Sequence, residues 1–224
     1  MRYALYFAPA AASDLWRFGS AVLGYDAATG HEMAQFVPAG VAPGEWRRLT
    51  AEPRRYGFHA TLKAPFRLAD GLSETALSDA AAKFAAAVAP FDLPLHLTPL
   101  DGFTAVMPTF VPPALTAVEN AVVAGFDSFR APLDEAEMAK RLRAPLTPRQ
   151  RGYLDRYGYP YVHDEFRFHM TLSSRLPEAL IPPVVASLKA EFAARCPPSV
   201  AIDQLVLFRE EIDRFRIVAR FPFG

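Results

Sequence analysis

The sequence predicts an α+β fold: two similar lobes of mainly antiparallel strands set around a central cleft, related by a pseudo-two-fold axis. Three observations carry that expectation. A pentapeptide occurs twice, as Phe58-His59-Ala60-Thr61-Leu62 and as Phe168-His169-Met170-Thr171-Leu172, with the histidines 110 positions apart. Each copy is followed by the same succession, a helix and then a pair of strands. Strands and helices do not alternate regularly, which argues against a doubly wound parallel sheet. The 224 residues, 51% hydrophobic and 21% charged, are ample for a folded core and read as a single bilobal domain over 1–224.

Taken in order, Arg2 to Phe7 forms a first strand, closed by Pro9. Ser13 N-caps a helix whose Leu15, Phe18, Val22 and Leu23 share one face. Residues 25–55 hold several Gly and Pro with little periodicity and are expected to be a long loop. The first motif strand runs over 57–66. Ser73 caps an alanine-rich helix to about residue 89. Segments 91–100 and 102–106 read as strands joined by a tight Asp101-Gly102 turn. Pro112 and Pro113 open a helix reaching about residue 129, as proline does in a first turn. A short helix is expected at 135–142, and Thr147-Pro148 starts another through Tyr157. The second motif strand covers 165–174, a helix 182–195, and a closing hairpin 199–208 with 214–221.

The motif strands carry the chemistry. Side chains alternate faces along a strand, so His59 and Thr61 point one way while Phe58, Ala60 and Leu62 point the other. His169 and Thr171 oppose Phe168, Met170 and Leu172 in the same way. Each copy buries its apolar side and presents an imidazole with a hydroxyl, the pairing a two-histidine acid–base site requires. The same parity puts Lys63 with the first pair and Arg167 with the second. Both faces then hold a cation suited to an anion such as a phosphate diester. Tyr6 and Tyr56 are candidates to line the cleft, and Arg141, Arg143, Arg149 and Arg151 form a basic run whose ordinary place is a solvated face.

Other classes are disfavoured. The net charge is zero, which removes a strongly basic field for non-specific nucleic-acid binding. Cys196 is the single cysteine, so no intrachain disulfide forms. The start of the chain runs straight into a strand pattern without a signal-peptide core, and no apolar run is long enough to span a bilayer. A soluble, cytoplasmic protein without a membrane or an obligate protein partner is expected. His163, Asp164, Glu165 and His169 include metal-ligand types but lack a His-x-x-x-His or paired-Cys spacing, so no metal is expected. No Gly-x-Ser-x-Gly elbow is present, and no cofactor is called for.

Paired His-x-Thr-Leu strands resemble the 2H phosphoesterase superfamily, which includes RNA 2′,3′-cyclic phosphodiesterases. The runs Leu146-Thr147-Pro148-Arg149-Gln150-Arg151, Tyr157-Gly158-Tyr159-Pro160-Tyr161 and Glu165-Phe166-Arg167-Phe168-His169 are similar to a bacterial branch of it associated with phosphonate metabolism. The resemblance implies metal-independent hydrolysis of a cyclic phosphodiester. His59 and His169 would then be base and acid in an order left open, with Thr61 and Thr171 donating to non-bridging oxygens. A small phosphorylated sugar or nucleotide, or an RNA end, is the implied ligand. Segments 25–55 and 131–162 are expected to choose among these. The alternative is a phosphate-ligand sensor that keeps the cleft and has no turnover.

Overall fold

The computed structural model describes residues 1–224. Strand β1 (Tyr3–Phe7) leads through Ser13, whose side chain accepts from the Trp16 amide, into helix α1 (Asp14–Leu23). A short hairpin of β2 (Tyr25–Asp26) and β3 (His31–Glu32) comes next, then two short helices, α2 (Pro43–Leu49) and α3 (Ala51–Tyr56). The expected loop at 25–55 is therefore structured. Its pieces are too short to show a period, and its order comes from distant partners. Buried Arg54 donates from Nε to Leu23 O at 2.7 Å and from a terminal nitrogen to Thr50 Oγ1 at 2.8 Å, while Gln35 Nε2 reaches Thr50 Oγ1 at 2.8 Å.

The first motif enters β4 (Ala60–Phe66), then α4 (Glu74–Ala85) capped by Ser73, and the hairpin of β5 (Phe91–Leu100) and β6 (Phe103–Pro108). Helices α5 (Pro113–Gly125), α6 (Glu135–Arg141) and α7 (Pro148–Tyr157) come after it, the last two each opened by a capping box. The second motif was expected to be a strand over 165–174. Only β7 (Met170–Thr171) pairs as strand, because residues 163–165 form a turn of 3₁₀ helix directly upstream. Helix α8 (Ile181–Arg195) then leads to β8 (Ser199–Ile202), β9 (Gln204–Glu211) and β10 (Arg214–Pro222).

Eight of the ten strands form one antiparallel sheet in the order β10-β9-β1-β4-β7-β6-β5-β8, and the helices make the fold α+β as expected. The expected closing strand 199–208 is broken at Asp203. Its first part pairs with β5 at one edge of the sheet, and its second part with β1 and β10 near the other edge. One residue separates these strands, so the sheet curls into a half-barrel whose ends come near each other at this corner. The amide of Phe223 donates to Asp203 O at 2.8 Å across that seam.

Forty-three buried residues form one contiguous apolar cluster beneath the sheet. All of β1 is buried, as are Gln204 to Phe208 of β9, so these two strands lie at its centre. Burying each large apolar side chain contributes about 1.5–3 kcal/mol. That packing fixes the strands from which the opposite face presents its polar groups.

Candidate active site

The two motif strands are neighbours in the middle of the sheet. Ala60 stands opposite Met170 in the antiparallel β4–β7 pair. That register sets His59 across from Thr171 and Thr61 across from His169, all four on one face, around a local two-fold axis through the Ala60–Met170 pair. Directly opposed side chains in such a ladder are about 4.5–5.5 Å apart at Cβ and diagonal ones about 7–8 Å. The histidines occupy a diagonal and the threonines the other, a spacing that one phosphate group can bridge.

Both imidazoles are held by the same device. His59 Nδ1 lies 2.9 Å from Gly57 O, and His169 Nδ1 lies 2.7 Å from Arg167 O. A carbonyl oxygen only accepts, so Nδ1 carries the proton in each ring and the unprotonated Nε2 is turned towards the cleft. Thr61 donates its hydroxyl to His59 Nε2 at 3.3 Å. Gly57 is needed for this aim: it sits at φ 74°, and a Cβ there would stand 2.6 Å from Ala27 Cβ.

Aromatic rings from the flanking strands back each histidine. Tyr6 of β1 stacks on His59 with centroids 3.8 Å apart and planes 21° from parallel. Phe103 of β6 lies 5.8 Å from His169. Burial against these walls pushes the His59 imidazole down to about 4; the Gly57 carbonyl opposes the shift and the nearby His169 adds to it. Burial also lowers His169, with its carbonyl partner opposing and the Arg167 charge adding. Burial holds the Tyr6 hydroxyl well above its ordinary range.

The cleft has two chambers. The first, about 440 Å³, holds His59, Thr61 and Thr171 together with Tyr6 and Tyr56, under a rim supplied by α3 and α6. The second, about 430 Å³, holds His169 with Thr61 and Arg167, and its walls are aromatic: Phe103, Tyr159, Tyr161 and Phe166. Thr61, Phe103 and Tyr159 belong to both, so the chambers meet where the four motif side chains converge.

Of the further candidates the sequence offers, Tyr6, Tyr56 and Arg167 reach the cleft, and Lys63 does not. Strand β4 slips register against β1: Thr61 stands opposite Tyr6, whereas Lys63 stands opposite Leu5. The extra residue of this β-bulge, Leu62, reverses the face of the residues after it. Lys63 is turned to the helical side and buried, with Nζ 3.1 Å from Val123 O and 3.3 Å from Asp127 Oδ1. Arg167 is exposed and stands 3.7 Å from Asp101. His163 turns to Asn120 and packs edge-on against Tyr153 and Tyr157, and no cluster of three metal-ligating side chains forms. Sequence reasoning did not single out Phe103, which sits just past the Asp101-Gly102 turn; nor did it draw Arg141 out of its basic run or include Arg175.

The family model described as "Protein of unknown function (DUF1045)" matches residues 61–216, from Thr61 of the first motif, past the whole of the second, into the last strand. A "Ribose 1,5-bisphosphate phosphokinase PhnN" of Janthinobacterium sp. (strain Marseille) is 41% identical over 230 residues, covering 100% of this chain and 51% of that protein. One of the same name from Laribacter hongkongensis (strain HLHK9) is 38% identical over 192 residues, covering 86% and 44%. The chain thus spans about half the length of these curated relatives. Among solved structures, E. coli LigT complexed with NADP+ superposes with a TM-score of 0.50 at 16% identity, covering 100% of this chain and 97% of that one. At that identity the likeness is one of fold. No helix is long and apolar enough to cross a membrane.

Proposed function

We propose that this chain, which belongs to the DUF1045 family, hydrolyses a cyclic phosphodiester by acid–base catalysis between His59 and His169. The observation that carries the reading is the β4–β7 register, which sets two imidazoles and two hydroxyls on one face around a local two-fold axis, each imidazole held through Nδ1 so that Nε2 is turned to the cleft. Opening a cyclic diester needs one group to take a proton from water and another to give one to the departing alkoxide. His59, neutral at any pH well above about 4, is assigned as base. Water attacks phosphorus and passes a proton to His59 Nε2. The opposite P–O bond breaks, and its oxygen takes the Nε2 proton of His169, leaving a phosphate monoester. The bound anion favours the protonated state of His169 that this step uses. Thr61 and Thr171 hydrogen-bond the non-bridging oxygens as their charge grows.

The ligand we favour is a small sugar or nucleotide cyclic phosphate in the cytoplasm. The curated relatives are named for ribose 1,5-bisphosphate, and a 1,2-cyclic phosphate of ribose 5-phosphate would open to that bisphosphate. This suits the phosphonate-associated branch that the sequence resembles. The chain itself has no Gly-x-x-x-x-Gly-Lys-Ser/Thr run, so we assign the phosphokinase of that name to the other half of those relatives. The deciding experiment is a screen of cyclic phosphodiesters with chelator present. Turnover that survives chelator supports the reading. Turnover abolished by chelator and restored by a divalent ion would make the histidines ligands, and binding without turnover would make the protein a sensor.

A further inference from the structure

The first chamber holds more positive charge than a cyclic diester uses. Its lining includes four cations, Arg2, Lys140, Arg141 and Arg175, and two carboxylates, Glu52 and Glu137. Arg2 is already committed to Glu210 through two hydrogen bonds of 2.9 and 2.7 Å, and Glu137 is committed to Arg67 at 3.0 Å. Lys140, Arg141 and Arg175 enter none of the ion pairs or side-chain hydrogen bonds that tie the other cations down. Three free cations then face one free carboxylate, a surplus of two positive charges. A cyclic phosphodiester carries one negative charge, and a phosphate monoester adds about 1.5–2 more.

The two arginines are placed so that their donors stay available. The Arg141 guanidinium lies over the Tyr159 ring, 4.9 Å from its centroid. A cation–π contact of this kind orients the group while consuming no N–H. Arg175 packs its side chain on Gly102, where a Cβ would stand 2.9 Å from its Nη1; the φ of 89° there also favours glycine. Arg141 and Lys140 come from α6 on the rim, Arg175 from the segment after the second motif, so two parts of the chain bring cations to one chamber.

We propose that Lys140, Arg141 and Arg175 form a second anion subsite in the His59 chamber, selecting cyclic phosphodiesters that carry an additional phosphate monoester. The proposal rests on the cyclic-phosphodiesterase reading for its substrate, and it names the class: a compact sugar with one cyclic and one terminal phosphate.

The test compares ribose 1,2-cyclic phosphate with and without a 5-phosphate. Hydrogen bonds to charged groups contribute about 1.5–3 kcal/mol each, or about 10–10²-fold. The wild-type protein is expected to favour the 5-phosphorylated substrate by about 10²-fold or more in kcat/KM, and Arg141→Gln or Arg175→Gln to collapse that ratio about tenfold or more. A wild-type ratio near one would overturn the subsite, as would variants that slow both substrates by the same factor. A binding arm separates this from the underlying reading: calorimetry with ribose 1,5-bisphosphate and ribose 1-phosphate. If neither cyclic substrate is turned over, the hydrolase reading falls. The subsite then stands only if the bisphosphate binds tighter than the monophosphate and loses that advantage in both variants. Equal binding of the two overturns it.

Discussion

His59 and His169 each commit Nδ1 to the carbonyl two residues upstream, so the tautomer is set by backbone and not by a carboxylate. Truncation tests the assignment. His59→Ala and His169→Ala should each lower turnover by about 10²–10⁴-fold, the contribution of a positioned base or acid, with thermal melts close to wild type. The two roles separate on a p-nitrophenyl phosphodiester, whose leaving group departs without a proton. His169→Ala should lose little on it and His59→Ala should stay slow; the reverse pattern would exchange the roles. The pH dependence comes from burial. Both imidazoles titrate below their ordinary value of 6.5, His59 near 4. The kcat/KM bell of the coupled pair should therefore peak on the acid side of 6.5, and a maximum above pH 7 would contradict it. Thr61→Ala and Thr171→Ala should keep the bell and lose rate. This scale was the most legible: a five-residue repeat is visible without any tertiary knowledge, and period-2 alternation correctly put His and Thr on one face. Lys63 was misplaced because a one-residue bulge at Leu62 leaves no mark in composition.

The elements that hold the motifs are less legible, because their order comes from remote partners. The second motif pairs as only two residues of strand, and the segment before it is pinned from α5. Glu119, buried, accepts from the His163 amide at 3.2 Å, where His163 takes a φ of 55°. Burial pushes the Glu119 carboxyl up to about 7, opposed by the His163 amide and the Lys63 charge. A raised carboxyl binds its proton more tightly in the folded chain than in the unfolded one. Its contribution is complete below about pH 4.5 and is lost as pH rises through 7. Glu119→Gln keeps an acceptor for the amide and should remove that loss, giving melts that are flatter between pH 4.5 and 7. Glu119→Ala orphans the amide and should cost about 1–3 kcal/mol. An unchanged melting curve in both variants would remove Glu119 from this role. The helices at 14–23, 74–85 and 148–157 were readable because Ser13, Ser73 and Thr147 cap them locally. The pieces at 25–56 were not, because Arg54, Gln35 and Thr50 act across the chain.

For the molecule as a whole, the sequence implied two halves but not how they join. In the structure β6 pairs with β7, and β4 pairs with β1, which in turn pairs with β9. Pairing partners this far apart carry no local signal. They also make the fold depend on its last strands. Leu205 to Phe208 are fully buried, and β9 is the neighbour of the all-buried β1. A chain ending at Pro198 should lack a cooperative thermal transition and near-ultraviolet dichroism. A sharp melt of that fragment would show that the first 198 residues close a core without β8, β9 and β10.

The local two-fold axis through Ala60 and Met170 leaves the four-residue frame unable to tell left from right. Taken alone, it would let a cyclic ester settle in either of two poses and open at either of its two P–O bonds, giving a mixture of positional isomers. The chambers on the two sides are unlike, one rimmed by Lys140, Arg141 and Arg175 and the other walled by Tyr161 and Phe166. On the proposed reaction, regiochemistry would be decided by these unlike surroundings, which also set the two histidines apart as base and acid. A single monoester isomer should form from an asymmetric substrate, and phosphorus NMR of the product would read it directly.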